Sequence, residues 1–493
     1  MTDAHPALPA PQPTSQPTRR AVLGAGAGAA AGLAAGPTGP AAAAPGRGGG
    51  AVDDPFTEAW PDGPGRPLRP QAPDAELRAM LREVDPHRIR AVVERLAAFG
   101  TRHTLSSQTD PERGIGAARD WIAAQMRTYA ARSGGRMTVT VPSYVQQPAS
   151  RIPVPTVISN VVARIEGSTD PDRVYVVSGH YDSRATDVMD AESDAPGADD
   201  DASGVAVAME LARILATRRP RATIVLAAVA GEEQGLYGAA FLARQLREEG
   251  VDVQAMFTDD IVGASRADDG EVDRRSVRLF VEGLPRTDDD ETRATRIAIG
   301  GENDSPTRQL GRFVTEVAPR AVTGMQVRLV YRLDRYLRGG DHRAFLDARF
   351  PAARFTEPAE DFAHQHQDVR VEDGRQYGDL PEFCDWDYIA GVARVNLATA
   401  WSLAQAPGVP TDVVVDTSDL TNDSTLRWSP GSGEAASYEV VWRPTAEPLW
   451  QRVVPVGRAT EATIDLSKDN VVLGVRAVGR DGHRSPAVFP FPA

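Results

Sequence analysis

Residues 174–182 read Val-Tyr-Val-Val-Ser-Gly-His-Tyr-Asp: an apolar, β-branched run that stops on a histidine and, two residues later, an aspartate. Such a run predicts a buried strand that leaves its sheet carrying polar side chains. The pattern recurs twice downstream. Residues 223–229 run into Ala230-Gly231-Glu232-Glu233-Gln234-Gly235, and 252–258 into Asp259-Asp260-Ile261-Val262-Gly263. Between these strands, 204–216 and 236–248 carry apolar residues at helical spacing. Further out, strands are predicted at 137–141, 157–165, 276–282 and 326–331, and helices at 116–131, 306–317 and 385–403. Helical periodicity begins at Asp74 and breaks at Asp85-Pro86. This alternation predicts an α/β fold, a mixed central β-sheet with helices on both faces. In such folds ligand sites lie beyond the carboxyl ends of the strands, where the three polar runs fall.

The composition changes at Ala406-Pro407-Gly408-Val409-Pro410. Only short strand-like runs separated by turn residues follow, so 409–493 reads as an all-β sandwich. Leu426-Arg427-Trp428-Ser429-Pro430, Tyr438-Glu439-Val440-Val441-Trp442 and Gly474-Val475-Arg476-Ala477-Val478 resemble a fibronectin type III module. The chemistry is therefore expected within 74–405. A module of that kind offers contact with a surface or polysaccharide.

The other end is not fold material. Thr18-Arg19-Arg20-Ala21-Val22-Leu23 leads into a weakly apolar Ala/Gly run ending at Ala41-Ala42-Ala43-Ala44. Residues 1–44 thus resemble a twin-arginine export signal, and the protein is expected to be secreted. Residues 45–73, rich in Gly and Pro, read as a linker or as an extended segment lying on the domain surface. No other run is long and apolar enough for a stable membrane span.

Of 493 residues, 41% are hydrophobic, enough for a large core, and the net charge is −14. That balance argues against nucleic acid as partner, which rewards a basic face. The lone cysteine, Cys384, allows neither an internal disulfide nor a thiolate metal site. It reads as a packed core thiol. Any metal must be held by His, Asp and Glu.

Five clusters of such residues stand out. His180 ends a strand, with Asp182 placed to receive the second N–H of a ligating imidazole. Asp199-Asp200-Asp201 precede the helix at 204. One carboxylate would suffice to cap that helix, whereas three repel one another unless a cation is present. Glu232 and Glu233 at a strand end can divide the work, one holding metal and one moving the proton of the attacking water. Asp260 follows a third strand. Phe362-Ala363-His364-Gln365-His366-Gln367-Asp368 places two of the chain's eight histidines two residues apart.

In order and spacing, these elements resemble the co-catalytic dizinc aminopeptidase family, which also contains relatives of glutamate carboxypeptidase and the glutaminyl cyclases. The resemblance covers roughly 75–405. It implies two Zn²⁺ ions, with His180, Asp200, Glu233, Asp260 and a histidine of the 364–366 pair as ligands, His366 favoured over His364. Asp200 would bridge the metals and Glu232 would be the general base. Gly340-Asp341-His342…Phe345 is similar to a family segment that supports the site, which assigns supporting roles to Asp341 and His342, as to Asp182. The chain departs from the family where a tyrosine usually precedes the late histidine: Phe362 stands there, with Tyr377 as a candidate replacement. The surplus acids Asp199, Asp201 and Asp259 are candidates to receive a substrate α-ammonium. The implied activity is hydrolysis of N-terminal residues from peptides. Its rivals are a carboxypeptidase-type enzyme, for which Arg332, Arg335 or Arg338 would meet a carboxylate, and an inactive binding protein of the same fold. The His/carboxylate set also suits manganese or cobalt.

Overall fold

The run ending on His180 forms most of an eleven-residue strand, Asp170–His180. The structure, a computed structural model, describes residues 61–493, so the export leader and most of the 45–73 segment lie outside the described residues. The central sheet contains β1 (Met137–Thr140), β2 (Val161–Ile165), β3 (Asp170–His180), β4 (Ala222–Val229), β5 (Asp252–Asp259), β6 (Ser276–Phe280), β7 (Gln326–Val330) and β8 (Ala352–Thr356). Their order is β7-β6-β8-β5-β3-β4-β2-β1. Strands β5, β3 and β4 are parallel neighbours. Strand β2 is antiparallel to β1 and β4, and β8 is parallel to β5 but antiparallel to β6. The sheet is therefore mixed.

The main helices are α1 (Ala75–Glu83), α2 (Pro86–Ala97), α3 (Ile115–Ala130), α4 (Ser203–Leu215), α5 (Tyr237–Glu248), α6 (Pro306–Val317), α7 (His342–Asp347) and α8 (Trp386–Gln405). They cover both faces. Tyr175 and Val177 of β3 face the core built with α1–α4, α6 and α8. Val174 and Val176 face the opposite core, built with α5 and α7. Side chains alternate across a strand, so a strand covered on both sides reads as one apolar run. Among the described residues no helix is long and apolar enough to cross a membrane.

Two features differ from the sequence reading. The helix expected at 236–248 is preceded by a separate turn, Glu232–Gly235, because Leu236 takes a left-handed φ of 63°. Strand β8 carries no sequence signal of its own, because Arg354 interrupts its apolar pattern. The structure buries this arginine against Asp260 and Asp334.

Residues 411–493 supply seven strands of two four-stranded sheets packed around Leu426, Trp428, Tyr438, Val440, Trp442 and Val475. The strand Arg66–Pro67, from the segment read as linker or surface chain, pairs with Val453 and Arg452 at the edge of one of them. The sandwich is held to the α/β domain by buried charge. Asp304, just before α6, accepts from Arg312 at 2.9 Å and from Arg443 of the sandwich at 2.6 Å. Trp450 Nε1 donates to Gln309 at 3.1 Å, and Arg476 bridges Glu316 and Glu439 at 2.7 and 2.8 Å. Removing one partner of such a network strands the others. Asp304→Ala leaves Arg312 and Arg443 buried without their shared counter-charge and should cost about 3–5 kcal/mol. A lowered urea midpoint would register it; an unchanged midpoint would show that water already reaches the network.

Candidate metal centre

The polar runs meet because their strands are parallel neighbours that end at one edge of the sheet. His180 is the last residue of β3. Asp260 directly follows β5. Glu232 and Glu233 follow β4 after Gly231, whose φ of 75° turns the chain sharply out of the strand. Asp200 comes from the turn ahead of α4, and His366 from the loop after β8, at a φ of 51°.

His180 Nε2 stands 3.0 Å from Asp200 Oδ1 and 4.0 Å from Asp260 Oδ1. His366 Nε2 stands 2.9 Å from both Asp200 Oδ2 and Glu233 Oε1. Two overlapping donor groups result: His180–Asp200–Asp260 and Asp200–Glu233–His366, the atoms of each within 4.8 Å of one another. Both Nε2 atoms and Glu233 Oε1 are buried without a hydrogen-bond partner. The distances are short, but the alignment is not that of hydrogen bonds, and the atoms of each group lie close enough to share one cation. Burial pulls the His366 imidazole down, yet Glu233 and Asp200 outweigh it and lift it to about 10. His180 is raised well above its ordinary value by Asp182 and Asp200, again against burial. The carboxylates thus demand positive charge at these points. A divalent cation held by these residues would supply it and occupy the orphaned lone pairs, and nitrogen and oxygen donors in this mixture suit zinc.

The supporting residues explain the geometry. Asp182 accepts from the backbone N–H of Glu232 at 3.2 Å and of Glu233 at 3.1 Å, while its carboxylate lies 3.5 Å from His180 Nδ1. Asp379 accepts from the N–H of Asp199 and of Asp200, each at 2.8 Å, fixing the turn that aims Asp200. Arg102 is fully buried and donates to the carbonyls of Tyr181 at 2.7 Å and Gly197 at 2.8 Å, tying the two loops together. Arg354 Nη2 reaches Asp260 Oδ1 at 2.7 Å. Asp341 is buried with both carboxylate oxygens unpartnered, and burial raises it to about 7, with Asp260 and Asp182 adding to the rise against His180. The sequence pattern marks Asp182 and Asp341. Nothing in it marked Arg102 or Arg354, which act from distant elements.

Glu232 is half-buried and lines a cleft of about 630 Å³ with Asp200, Glu233, Asp260 and His366. Burial pushes its carboxyl well above the usual range; Asp260 and Glu233 add to the shift, and His180 opposes it. It belongs to neither donor group.

Several expected participants lie elsewhere. His364 stacks on Phe383 at 3.6 Å and faces Asp361. His342 turns its Nε2 to the Leu333 carbonyl. Tyr377 is packed between Arg370 and Arg375, and the phenol lining the cleft is Tyr237. The surplus acids are engaged in the scaffold and do not reach the cleft. Asp199 accepts from Gly263 N, Asp201 from His180 N and Gly204 N, and Asp259 from Asn396. Buried and absent from the cleft lining, they do not meet a substrate ammonium there.

The sequence profile described as Peptidase family M28 matches residues 160–373, the stretch that supplies every donor above. A probable zinc metalloprotease of Pyricularia oryzae is 62% identical over 87% of this chain and 87% of its own length. The chain belongs to peptidase family M28. A second probable zinc metalloprotease, from Leptosphaeria maculans, is 58% identical to this M28 peptidase over 86% of the chain and 99% of its own. Among solved structures, the LapA aminopeptidase of Legionella pneumophila is similar at 17% identity, with a TM-score of 0.48 over 68% of this chain and 76% of that one.

Proposed function

We propose that this M28 peptidase is a secreted zinc-dependent exopeptidase that works with two zinc ions and removes N-terminal residues from peptides. The observation that carries the reading is Asp200. Its two oxygens face different histidines, at 3.0 and 2.9 Å, so it belongs to both donor groups. Two cations would be held by Asp200 in common, together with His180 and Asp260 in one group and Glu233 and His366 in the other. Relatives described as zinc metalloproteases support the choice of metal. The motif order, like that of co-catalytic dizinc aminopeptidases, supports the N-terminal direction. The paired arginines and small-residue run of 1–44 support export. The fibronectin-like module at 409–493 is assigned surface or polysaccharide contact.

When bound, the zinc pair supplies Lewis-acid activation of water and of the scissile carbonyl. The remaining work belongs to the chain. Glu232, in the cleft and outside both donor groups, takes the proton from the attacking water and returns it to the leaving amine. Asp182 fixes the turn bearing Glu232 and Glu233 through their backbone N–H groups, so base and ligand keep their spacing. Retention of Glu232 also speaks against an inactive binding protein.

A carboxypeptidase-type enzyme is the second reading, favoured by the arginines that line the cleft. Free and N-acylated peptides, assayed with chelator and zinc add-back, separate the two. Cleavage of peptides with a free amino terminus, lost on chelation and restored by zinc, is expected. Release of C-terminal residues from N-acylated peptides would install the second reading, and activity indifferent to chelation would remove the metal altogether.

A further inference from the structure

We propose that the cleft selects peptides carrying a carboxylate next to the scissile bond, read by Arg151, Arg184 and Arg343. The inference rests on the peptidase reading above and names its substrate class. Outside the donor groups and Glu232, the charged side chains lining the cleft are five arginines and one acid, Asp347. Asp347 is engaged by Arg286. Arg335 and Arg338 share Glu360, at 3.2 Å each, and Arg278 reaches the same carboxylate at 2.5 Å. The other three arginines find no carboxylate partner among the described residues. Arg151 Nη1 donates to the Glu233 carbonyl at 2.8 Å. Arg184 donates to the carbonyls of Ala185 and Thr186 at 3.1 and 2.9 Å. Arg343 Nε is buried and donates to nothing.

Their placement brackets the reaction centre. Arg151 reaches the cleft from the segment before residue 156 and touches the backbone of a donor residue, Glu233. Arg343 projects from α7 over Gly339, where an added Cβ would meet its Nη1 at 2.7 Å. The next glycine, Gly340, sits against Asp260 Oδ2, where a Cβ would come within 2.9 Å. Arg184 follows β3, four residues after His180. Three elements thus deliver surplus guanidiniums to one cavity in a chain of net charge −14. A planar guanidinium fork matches a carboxylate with two parallel N–H donors, so these three arginines offer a carboxylate partners that the chain itself does not supply. That carboxylate is either an acidic side chain or a C-terminal α-carboxylate.

The test uses the full, zinc-loaded chain. One arm compares Glu- and Gln-bearing peptides with free amino termini; the other compares N-acylated peptides ending in a free carboxylate or an amide. In the arm that carries the source, kcat/KM should favour the acid by about ten- to a hundredfold, the scale of a charge-assisted hydrogen bond. In an R184Q/R343Q double variant with unchanged zinc content, that ratio should fall toward one. Ratios near one in both wild-type arms overturn the inference. Glutarate titrated calorimetrically gives a reading independent of turnover. Weaker binding to the double variant supports the cationic subsite even if no peptide is cut, a result that would remove the peptidase reading alone. Equal binding to wild type and variant overturns the subsite even in an active enzyme. Should the double variant not fold, R151Q, at an exposed position, carries both measurements.

Discussion

Replacing Glu232 by Gln should lower kcat by about 10²–10⁴-fold while the chain keeps its full zinc content. The two halves of this expectation have separate origins. Glu232 contributes to neither donor group, so the amide removes no ligand. Its backbone N–H is what Asp182 holds, and that contact survives the substitution. What disappears is the ability to take and return a proton. Steady-state kinetics beside elemental analysis read both halves. Retained activity would place the base elsewhere, and lost zinc would make Glu232 a ligand.

Asp200→Ala should empty both metal positions together. It is the one residue common to the two groups. Without it, each position keeps one imidazole and one carboxylate, too few to hold zinc against water and buffer. A cation that binds only the folded state raises the unfolding temperature by mass action. Wild type should therefore show a zinc-dependent rise in Tm, and Asp200→Ala should show none. A variant retaining one zinc per chain would mean that the positions are independent and that Asp200 does not bridge them.

Much of this site is legible in the sequence for a topological reason. When neighbouring parallel strands end at one edge, residues that follow their apolar runs are brought together without knowledge of the loops. His180, Glu232, Glu233 and Asp260 belong to this class. Direction within a cluster is not legible. Asp199, Asp200 and Asp201 are adjacent and chemically alike, yet the turn sends one carboxylate to the Gly263 N–H, one into both donor groups and one back to the His180 N–H. The choice between His364 and His366 is of the same kind, because a loop has no periodicity to orient two side chains. Strand β8 escapes for a different reason: Arg354 breaks an apolar pattern whose compensation by Asp260 and Asp334 is remote in sequence. The small strand Arg66–Pro67 has no pattern of its own, and only its partner makes it a strand.

That small strand has a consequence for the order in which the protein can be made. The first described segment completes a sheet whose other members span Ser437 to Val478. Asp74, at the head of α1, lies 3.1 Å from His483 Nε2 and 2.9 Å from Trp401 Nε1. A ribosome releases residues 66–74 hundreds of codons before their partners exist. Contacts so distant along the chain delay the final closure of the native state. The α/β domain must therefore wait, partly unsealed, for strands made later, and a message cut short before Ser437 would yield a peptidase with an open flank.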